Sequence, residues 1–213
     1  AIFNMLREHI KSSKDVRSAG DGYSQEWKEI ASQRGLKNTP DTPRALDFYL
    51  SKSSIDLFEK TGVLNKVEIE ARYEILQEEY FKSIQIESRT LGDLVKNHIV
   101  PTSIRYQSTL SENVNRLKKV LEKDEYEKVS KEQIQMIIEI SQLVSDALNG
   151  VNEMIEARKV ANKIDNLRKK SLAYCDNVKP YLEKIRYSVD KLELLVDNEI
   201  WPLAKYREIL YIR

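Results

Sequence analysis

The chain has 213 residues and nearly equal numbers of basic and acidic side chains, 35 and 34, which leave a net charge of +1. With 41% hydrophobic and 32% charged residues but only 6 glycines and 5 prolines, the composition favours amphipathic helices with few turns. It argues against a disordered chain, a collagen, a β-propeller and a β-sandwich. The small net charge provides no overall field that would draw the chain onto nucleic acid or an anionic membrane.

Two short helices are predicted at the start of the chain. The first has an apolar face whose members recur at spacings of three and four: Ile2, Met5, Leu6, His9 and Ile10. It should end before the turn-forming sequence GDG at 20–22. The second should follow Ser24, whose hydroxyl can accept a backbone N–H as an N-cap, and should end at Gly35.

Two further short helices are predicted after a break at residues 38–43, which read NTPDTP. Thr42 is expected to cap the next helix, with Pro43 at its first position, where a missing N–H is not needed. That helix should continue to Leu50. Another is expected over residues 53–60, followed by a glycine that ends it.

A much longer helix is predicted from Asn65 onwards. Asn65 and Glu68 have the spacing of a capping box, and an apolar stripe then extends over the following fifty-odd residues. Pro101 removes one backbone hydrogen bond, so we expect a kink or a break just before it. We expect the chain to reverse over residues 123–128, with Ser130 as the next N-cap.

Two more apolar stripes predict the second and third long helices. One covers residues 137–155 and contains Gly150, which a helix tolerates at a cost of about 1 kcal/mol. The other covers residues 164–196 and is interrupted by Pro180. A turn near Asn162 should join them. Three helices of about 28 residues would then form an up-down-up bundle, so the predicted fold is all-α, with short helices followed by a bundle of long ones.

The last residues, 199–213, form an apolar tail around Trp201. A chain end is usually disordered unless it is tied down, so we expect this tail to dock. The expected docking surface is the set of aromatic side chains on the short helices, in preference to a partner subunit. These side chains are Trp27, Phe48 and Phe58.

The sequence contains no recognisable catalytic or metal-binding arrangement. Its two histidines, His9 and His98, lie on different predicted helices, and His98 shares an apolar stripe, so both are interpreted as packed or surface residues. The single Cys175 is interpreted as a small buried hydrophobe, and its isolation fits a reducing compartment, by default the cytoplasm. GDG at 20–22 lacks the spacing and the lysine of a phosphate-binding loop. We therefore predict no catalytic, cofactor-binding or metal-binding residue.

One cluster of basic residues occurs near the last predicted turn. Neighbouring acidic residues offset its charge, and no aromatic residues are interleaved for base stacking, so a solvated turn is favoured over a nucleic-acid site. No apolar run of 18 residues occurs, so no membrane span is predicted. The cluster consists of Arg158, Lys159, Lys163, Arg168, Lys169 and Lys170.

Several segments resemble the C-terminal part of type III glutamine synthetases. They are, in chain order, GDGYSQEW at 20–27, RGLKN at 34–38, TPRAL at 42–46, EIEARYEI at 68–75, residues 86–101 and WPLAKYR at 201–207. The segments occur in the family's order and extend from residue 20 to residue 207, so the resemblance covers nearly all of the chain.

This resemblance implies a ligase of nitrogen metabolism that joins ammonia to the γ-carboxylate of glutamate through γ-glutamyl phosphate, using ATP and divalent Mg or Mn. The family's metal, nucleotide and glutamate motifs are not found here, so no catalytic residue is carried over and the chain is expected to be inactive alone. It would be a fragment that follows the catalytic barrel. Residues 1–64 would be trailing helices of the catalytic domain plus a linker, and residues 65–213 a helical C-terminal extension. The family assembles as dodecamers, which implies a homo-oligomer and a role for the extension in assembly.

Two other function classes are weighed against the ligase. An independent interaction module, such as a coiled-coil adaptor, would explain the three apolar stripes equally well. A small helical enzyme would need a nucleophile, a base and an orienting group, which the sequence lacks. The upstream coding sequence would discriminate: a preceding barrel with metal-binding glutamates favours the ligase, and a stop codon favours the independent module.

Overall fold

The structure is a computed structural model that describes residues 2–14, 17 and 20–210. All regular elements of these residues are helical, and none is a strand, which confirms the predicted all-α class. The chain forms two compact units, Ala1–Ala45 and Leu46–Arg213.

The first unit contains α1, Ile2–Ser12, and α2, Gln25–Gln33. The predicted cap of α2 is confirmed, because the Ser24 hydroxyl accepts a hydrogen bond from the Trp27 N–H at 3.1 Å. Gly35 follows α2 with a φ of +72°, a conformation that glycine adopts without steric cost. The predicted glycine stop is therefore also confirmed.

The next helix, α3, spans Thr42–Leu46 and begins one residue earlier than predicted. Its N-cap is Asp41, whose carboxylate accepts a hydrogen bond from the Arg44 N–H at 3.0 Å. Thr42 is therefore the first helical residue, not the cap. A carboxylate at the N-cap also interacts favourably with the helix dipole, which explains why Asp41 takes this position.

The second unit opens with a 3₁₀ helix, Asp47–Leu50, followed by α4, Lys52–Thr61. The helix predicted to continue to Leu50 thus changes type after α3. Ser51 caps α4 by accepting a hydrogen bond from the Ser54 N–H at 3.3 Å. Gly62 ends α4 in the left-handed conformation, with a φ of +68°, as the sequence predicts.

Three long helices joined by short turns form most of the second unit. The first, α5, covers residues 66–120 as Lys66–Leu94, the π-turn Val95–Ile99 and Val100–Val120. The second, α6, is the 40-residue helix Lys123–Asn162, after which the chain turns where predicted. The third, α7, covers residues 167–195 as Leu167–Ala173, the π-turn Tyr174–Val178 and Lys179–Leu195. The predicted up-down-up order is found, but the helices differ greatly in length and do not have about 28 residues each.

Each proline within the long helices is the second residue after a π-turn. In both π-turns the residue after the turn donates its N–H to a carbonyl five positions earlier. Pro101 and Pro180 are the next residues along the chain. Because the wider turn shifts the backbone hydrogen bonds by one residue, the missing proline N–H is accommodated. The helix therefore continues through Pro101 without a break.

The reversal between α5 and α6 lies at Leu121 and Glu122, not over residues 123–128 as predicted. Residues 123–128 lack an apolar stripe because they form the largely exposed beginning of α6. Ser130 is not an N-cap. It is buried within α6, and its hydroxyl donates a hydrogen bond to the Tyr126 carbonyl at 2.6 Å.

The core of the bundle is apolar and draws on all three long helices. From α7, Ile185, Val189 and Leu192 are buried and Leu182 is half-buried. This confirms the face predicted from their spacing. Four polar side chains of α5 are also buried, which the apolar pattern did not predict: Gln77, Ser88, Thr102 and Ser103.

His98 and Cys175 both lie in π-turns. His98 is exposed because Val95 and Ile99 occupy the buried side of its turn, so its assignment to the apolar stripe is wrong. Cys175 is a free, half-buried thiol. It is more exposed than predicted because Tyr174 occupies the buried side of that turn.

The end of the chain folds back onto the bundle. Trp201 is 7% exposed and belongs to the core of the bundle, so docking within the chain is confirmed for this residue. The docking surface is the bundle core, whereas the predicted contact Phe58 stacks on Tyr49 with ring centroids 6.5 Å apart. The last helix, α8, spans Tyr206–Leu210, and the predicted tail from residue 211 lies outside the described residues.

Candidate functional site

A polar junction fastens the 3₁₀ helix to the bundle. Its Asp47 accepts hydrogen bonds from Arg168 Nε and Nη2, each at 2.7 Å, in a bidentate ion pair. The Tyr73 hydroxyl donates to the same carboxylate at 3.1 Å. Tyr73 lies on α5 and Arg168 on the first turn of α7. The junction therefore connects three elements that are far apart in the sequence.

The Tyr73 hydroxyl and the Arg168 guanidinium of this junction do not titrate near neutral pH. Burial raises the pKa of the Tyr73 hydroxyl, and its hydrogen bond to Asp47 raises that pKa further. The phenol therefore remains a neutral donor, while the Arg168 guanidinium stays charged. Because neither group exchanges a proton in the physiological range, the junction is suited to holding elements together and not to acid–base catalysis.

A second polar network joins all three long helices near the turn after α6. Gln85 Nε2 donates to Asn162 Oδ1 and to the Tyr174 hydroxyl, both at 3.0 Å. The Tyr174 hydroxyl donates to Asn162 Oδ1 at 2.7 Å. Since Tyr174 is fully buried, its hydroxyl requires such partners. The network therefore fixes the relative positions of α5, α6 and α7.

The residues considered for catalysis from the sequence lie on three different helices. His9 is exposed on α1, His98 is exposed on α5, and Cys175 is half-buried on α7. In the described ranges, no three His, Cys, Asp or Glu side chains form a group that could hold a metal ion. Asp21 of the glycine-rich turn accepts a hydrogen bond from the Tyr23 N–H at 2.9 Å, a side-chain contact typical of turns.

The basic cluster does not form a uniform positive surface. Arg168 is paired with Asp47, as described above, and Lys159 Nζ lies 2.7 Å from Glu156 Oε1. The ammonium of Lys170 lies 5.6 Å from the centre of the Phe81 ring. These contacts partly neutralise or screen the cluster, which agrees with its interpretation as a solvated turn.

None of the helices in the described part of the chain is long and apolar enough to cross a lipid bilayer.

The apolar face predicted for α1 lies exposed on the surface. Among the described residues of the first unit, only Ala31 and Pro43 are buried. A helix of 11 residues has little stability by itself, and a continuous exposed apolar face usually marks a contact surface. The exposed side chains of this face, each at least half accessible, are Ile2, Phe3, Met5, Leu6 and Ile10. We call this set the α1 face.

A hollow of about 640 Å³ on the bundle lies between α6 and α7. Ile155, Val160 and Tyr181 provide its apolar lining. Glu153 at its rim is paired with Lys184 of α7, with an Nζ to Oε2 distance of 2.8 Å. Glu153 and Glu156 are already paired, and none of the described residues that line the hollow is a serine, threonine, cysteine, histidine or lysine, so the lining shows no nucleophile next to a base.

Residues 1–118, more than half of the chain, match the sequence family described as the glutamine synthetase C-terminal domain. The chain belongs to this family. The match extends over the first unit and nearly all of α5, and it confirms the resemblance seen in the short sequence segments.

Three glutamine synthetases are similar to the chain over nearly its whole length. A glutamine synthetase of Bacteroides fragilis is 46% identical over 213 residues, which is 100% of this chain and 29% of that protein. A type-3 glutamine synthetase of Dictyostelium discoideum is 34% identical over 212 residues, 100% of this chain and 28% of that protein. A glutamine synthetase of Butyrivibrio fibrisolvens is 28% identical over 210 residues, 99% of this chain and 29% of that protein. The chain thus spans less than a third of the length of these relatives.

The polar junction of this glutamine synthetase C-terminal domain could not be found from the sequence. Asp47 and Arg168 are separated by 121 residues, and no local pattern links them. In the sequence Arg168 is followed directly by Lys169 and Lys170, which indicates a basic cluster and not an ion pair. Only the antiparallel packing of the long helices brings its guanidinium to the 3₁₀ helix.

Proposed function

We propose that the chain is the C-terminal part of a glutamine synthetase, which ligates ammonia to glutamate with ATP. In this proposal the chain serves structure and subunit assembly and does not catalyse the reaction alone. The observation that supports this most directly is the 46% identity of the whole chain to the Bacteroides fragilis glutamine synthetase, of which it spans 29%. An independent interaction module has only the helical fold in its favour, and many functions share that fold.

The surface of the first unit supports the same proposal. The α1 face exposes large apolar side chains that water disfavours. We infer that the catalytic part of the same enzyme covers this face. Residues 1–64 would then complete the catalytic domain, and residues 65–213 would form the helical extension.

The groups that carry out ligation would lie outside this chain. ATP and Mg or Mn would be held by the catalytic part of the enzyme, because the described residues bring together no set of metal-binding side chains. We therefore assign no step of the reaction to these residues. The extension would position neighbouring subunits of a cytoplasmic homo-oligomer, by resemblance a dodecamer.

The activity is tested by comparing this chain with the full-length protein that contains it. Both are supplied with ATP, magnesium, glutamate and ammonia, and glutamine is measured. The full-length protein should form glutamine and the isolated chain should not, because ligation needs metal-binding carboxylates and a phosphate-binding site. Glutamine formation that follows the isolated chain through gel filtration would contradict the proposal, and so would an inactive full-length protein.

The assembly role is tested separately. Residues 65–213 are deleted from the full-length protein, and the mass of the assembly is measured by light scattering. The deletion should yield a smaller assembly than the intact protein, whereas Lys191→Met, a change at an exposed position of α7, should leave the mass unchanged. An unchanged mass after the deletion would refute the assembly role and leave the ligase assignment standing.

A further inference from the structure

The chain after α7 forms a strap, residues 197–205, across the end of the bundle core. It begins with a turn at Asp197, whose backbone carbonyl accepts hydrogen bonds from the N–H groups of Ile200 and Trp201 at 3.3 and 3.0 Å. The Asp197 side chain accepts a third hydrogen bond, from the Glu199 N–H at 3.0 Å. The start of the strap is thus set by local hydrogen bonds.

The middle of the strap inserts into the core. Trp201 is 7% exposed and belongs to the apolar core of the bundle, and the half-buried Leu203 packs against that core. The indole N–H of Trp201 has no acceptor among the described residues. The ring is therefore held by packing and by the Lys205 ammonium over its face, not by a directional hydrogen bond.

A single ammonium group closes the strap. Lys205 Nζ donates to the carbonyl of Glu193 at 2.5 Å and to the carbonyl of Val196 at 3.3 Å, both at the C-terminus of α7. The same Nζ lies 5.7 Å from the centre of the Trp201 ring. One charge thus connects the helix end, the indole and the end of the strap.

The positive charge of Lys205 suits all of these contacts. The last carbonyls of a helix have no partner within the helix and carry partial negative charge, so a cation is favoured there. The face of an indole ring also attracts a cation, more strongly when the cation is partly shielded from water. Lys205 is half-buried. A neutral side chain of similar length would retain the packing but lose both attractions.

Lys205 also connects the strap to α8. Its backbone N–H donates to Glu208 Oε2 at 3.3 Å, and its carbonyl accepts a hydrogen bond from the Glu208 N–H at 2.8 Å. These reciprocal bonds fix where α8 begins. The start of α8, whose Ile209 and Leu210 are exposed, is therefore set by backbone groups of the same residue whose side chain closes the strap.

We propose that Lys205 is a charge-dependent latch that holds the strap closed over Trp201 at the end of α7. Neutralising its charge opens the strap while the three-helix bundle remains folded. Opening exposes Trp201 and frees the strap from the end of α7, so the latch controls whether the strap presents a closed or an open surface.

The test uses the tryptophan itself as the probe. The chain has two tryptophans, so all variants carry Trp27→Phe, and excitation at a wavelength that tyrosine does not absorb then reports on Trp201 alone. In this background Lys205→Met should shift the emission of Trp201 to longer wavelength. It should also raise the acrylamide quenching constant about three-fold or more, because a largely buried ring becomes accessible. Lys205→Arg, which keeps the charge, should stay close to the parent.

Lys191→Met is the matched control. Lys191 Nζ also lies over an aromatic ring, 5.7 Å from the centre of the exposed Tyr187 on α7, but it closes no strap. This variant should leave the emission and quenching of Trp201 unchanged.

Circular dichroism at 222 nm measures whether the bundle stays folded. If Lys205→Met loses helicity, Lys205→Gln, whose amide can still donate to one carbonyl, replaces it. Increased quenching of Trp201 with full helicity supports the latch. Unchanged quenching overturns it, and so does a loss of helicity in both variants, because a latch acts on the strap and not on the whole bundle.

Discussion

Substituting the two helix glycines of the bundle by alanine should change stability by clearly different amounts. Gly150 on α6 is fully enclosed against α7, and a Cβ placed there would lie 2.8 Å from Ile185 Cγ1. Gly92 on α5 is less crowded, because a Cβ there would lie 3.5 Å from Val151 Cγ1, an ordinary contact distance. The sequence showed Gly150 only as tolerated, but the packing shows that the close approach of α6 and α7 requires it.

The magnitude follows from two opposing effects. Each glycine-to-alanine change stabilises the helix by about 1 kcal/mol, because alanine loses less backbone entropy on folding. At Gly150 the added methyl also overpacks the core against the fully buried Ile185, at a cost of about 1–3 kcal/mol. The gain in propensity is common to both sites, so Gly150→Ala should be less stable than Gly92→Ala by about 1–3 kcal/mol.

The assay is urea unfolding followed by circular dichroism, with the free energy of unfolding taken from midpoint and slope. A double substitution adds a test of the contact: Ile185→Ala alone should cost about 2–5 kcal/mol. With Gly150→Ala added, the loss should be smaller than the sum of the two single effects, because the clash is then absent. If Gly150→Ala stabilises the protein as much as Gly92→Ala, the close approach of α6 and α7 is refuted.

Three further predictions concern the polar junction and the chain end. A double-mutant cycle of Asp47→Asn and Arg168→Gln, measured by urea unfolding, should give a coupling energy of about 0.5–1 kcal/mol. This energy should decrease as salt is added, because the two side chains are 34% and 46% exposed. Zero coupling at low salt would contradict the junction. Because folding raises the pKa of Tyr73, the contribution of this hydroxyl to stability is fully present below pH 10 and is lost as the pH rises through the folded pKa. Tyr73→Phe should therefore reduce the loss of stability at alkaline pH. An identical pH dependence of stability in the variant would refute the argument. Deleting residues 199–213 should lower the melting temperature and expose dye-binding apolar surface; an unchanged melt would show that the tail does not stabilise the bundle.

Helix ends were the most predictable features of this fold. The Asn65 side chain accepts from the Glu68 N–H at 3.0 Å, and the Glu68 carboxylate accepts from the Asn65 N–H at 2.7 Å. This confirms the predicted capping box. Such signals depend on residues within four positions of each other, so they can be read from the sequence without knowledge of the packing.

Positions that depend on tertiary packing were predicted less well. Ser103 is fully buried although it is polar, because its hydroxyl donates to the Ile99 carbonyl of its own helix at 2.9 Å. Ser130 resembles an N-cap in sequence but uses the same type of bond within α6. A serine that bonds to its own helix and a serine that caps one are not distinguished by spacing alone.

In the candidate site, too, features set by nearby residues were predicted and features set by tertiary packing were not. The spacing from Ile2 to Ile10 predicted an apolar face on α1, and the structure confirms the helix. Spacing cannot show what covers such a face, because burial depends on the surrounding chain. The pairing of Asp47 with Arg168 was not predicted for a related reason: it is created by the packing of helices distant in sequence.

Glutamine formation by the full-length protein tests most directly whether residues 1–64, which carry the α1 face, complete the catalytic domain of a glutamine synthetase. Met5→Asp combined with Leu6→Asp places two charges on the α1 face. Ile75→Asp combined with Ile86→Asp places two charges on α5, at isoleucines that are 55% and 63% exposed. The first pair should abolish or strongly reduce glutamine formation, because buried unpaired carboxylates would disrupt packing against the catalytic part, while the second pair should retain it. Full activity in the α1 variant would contradict the account.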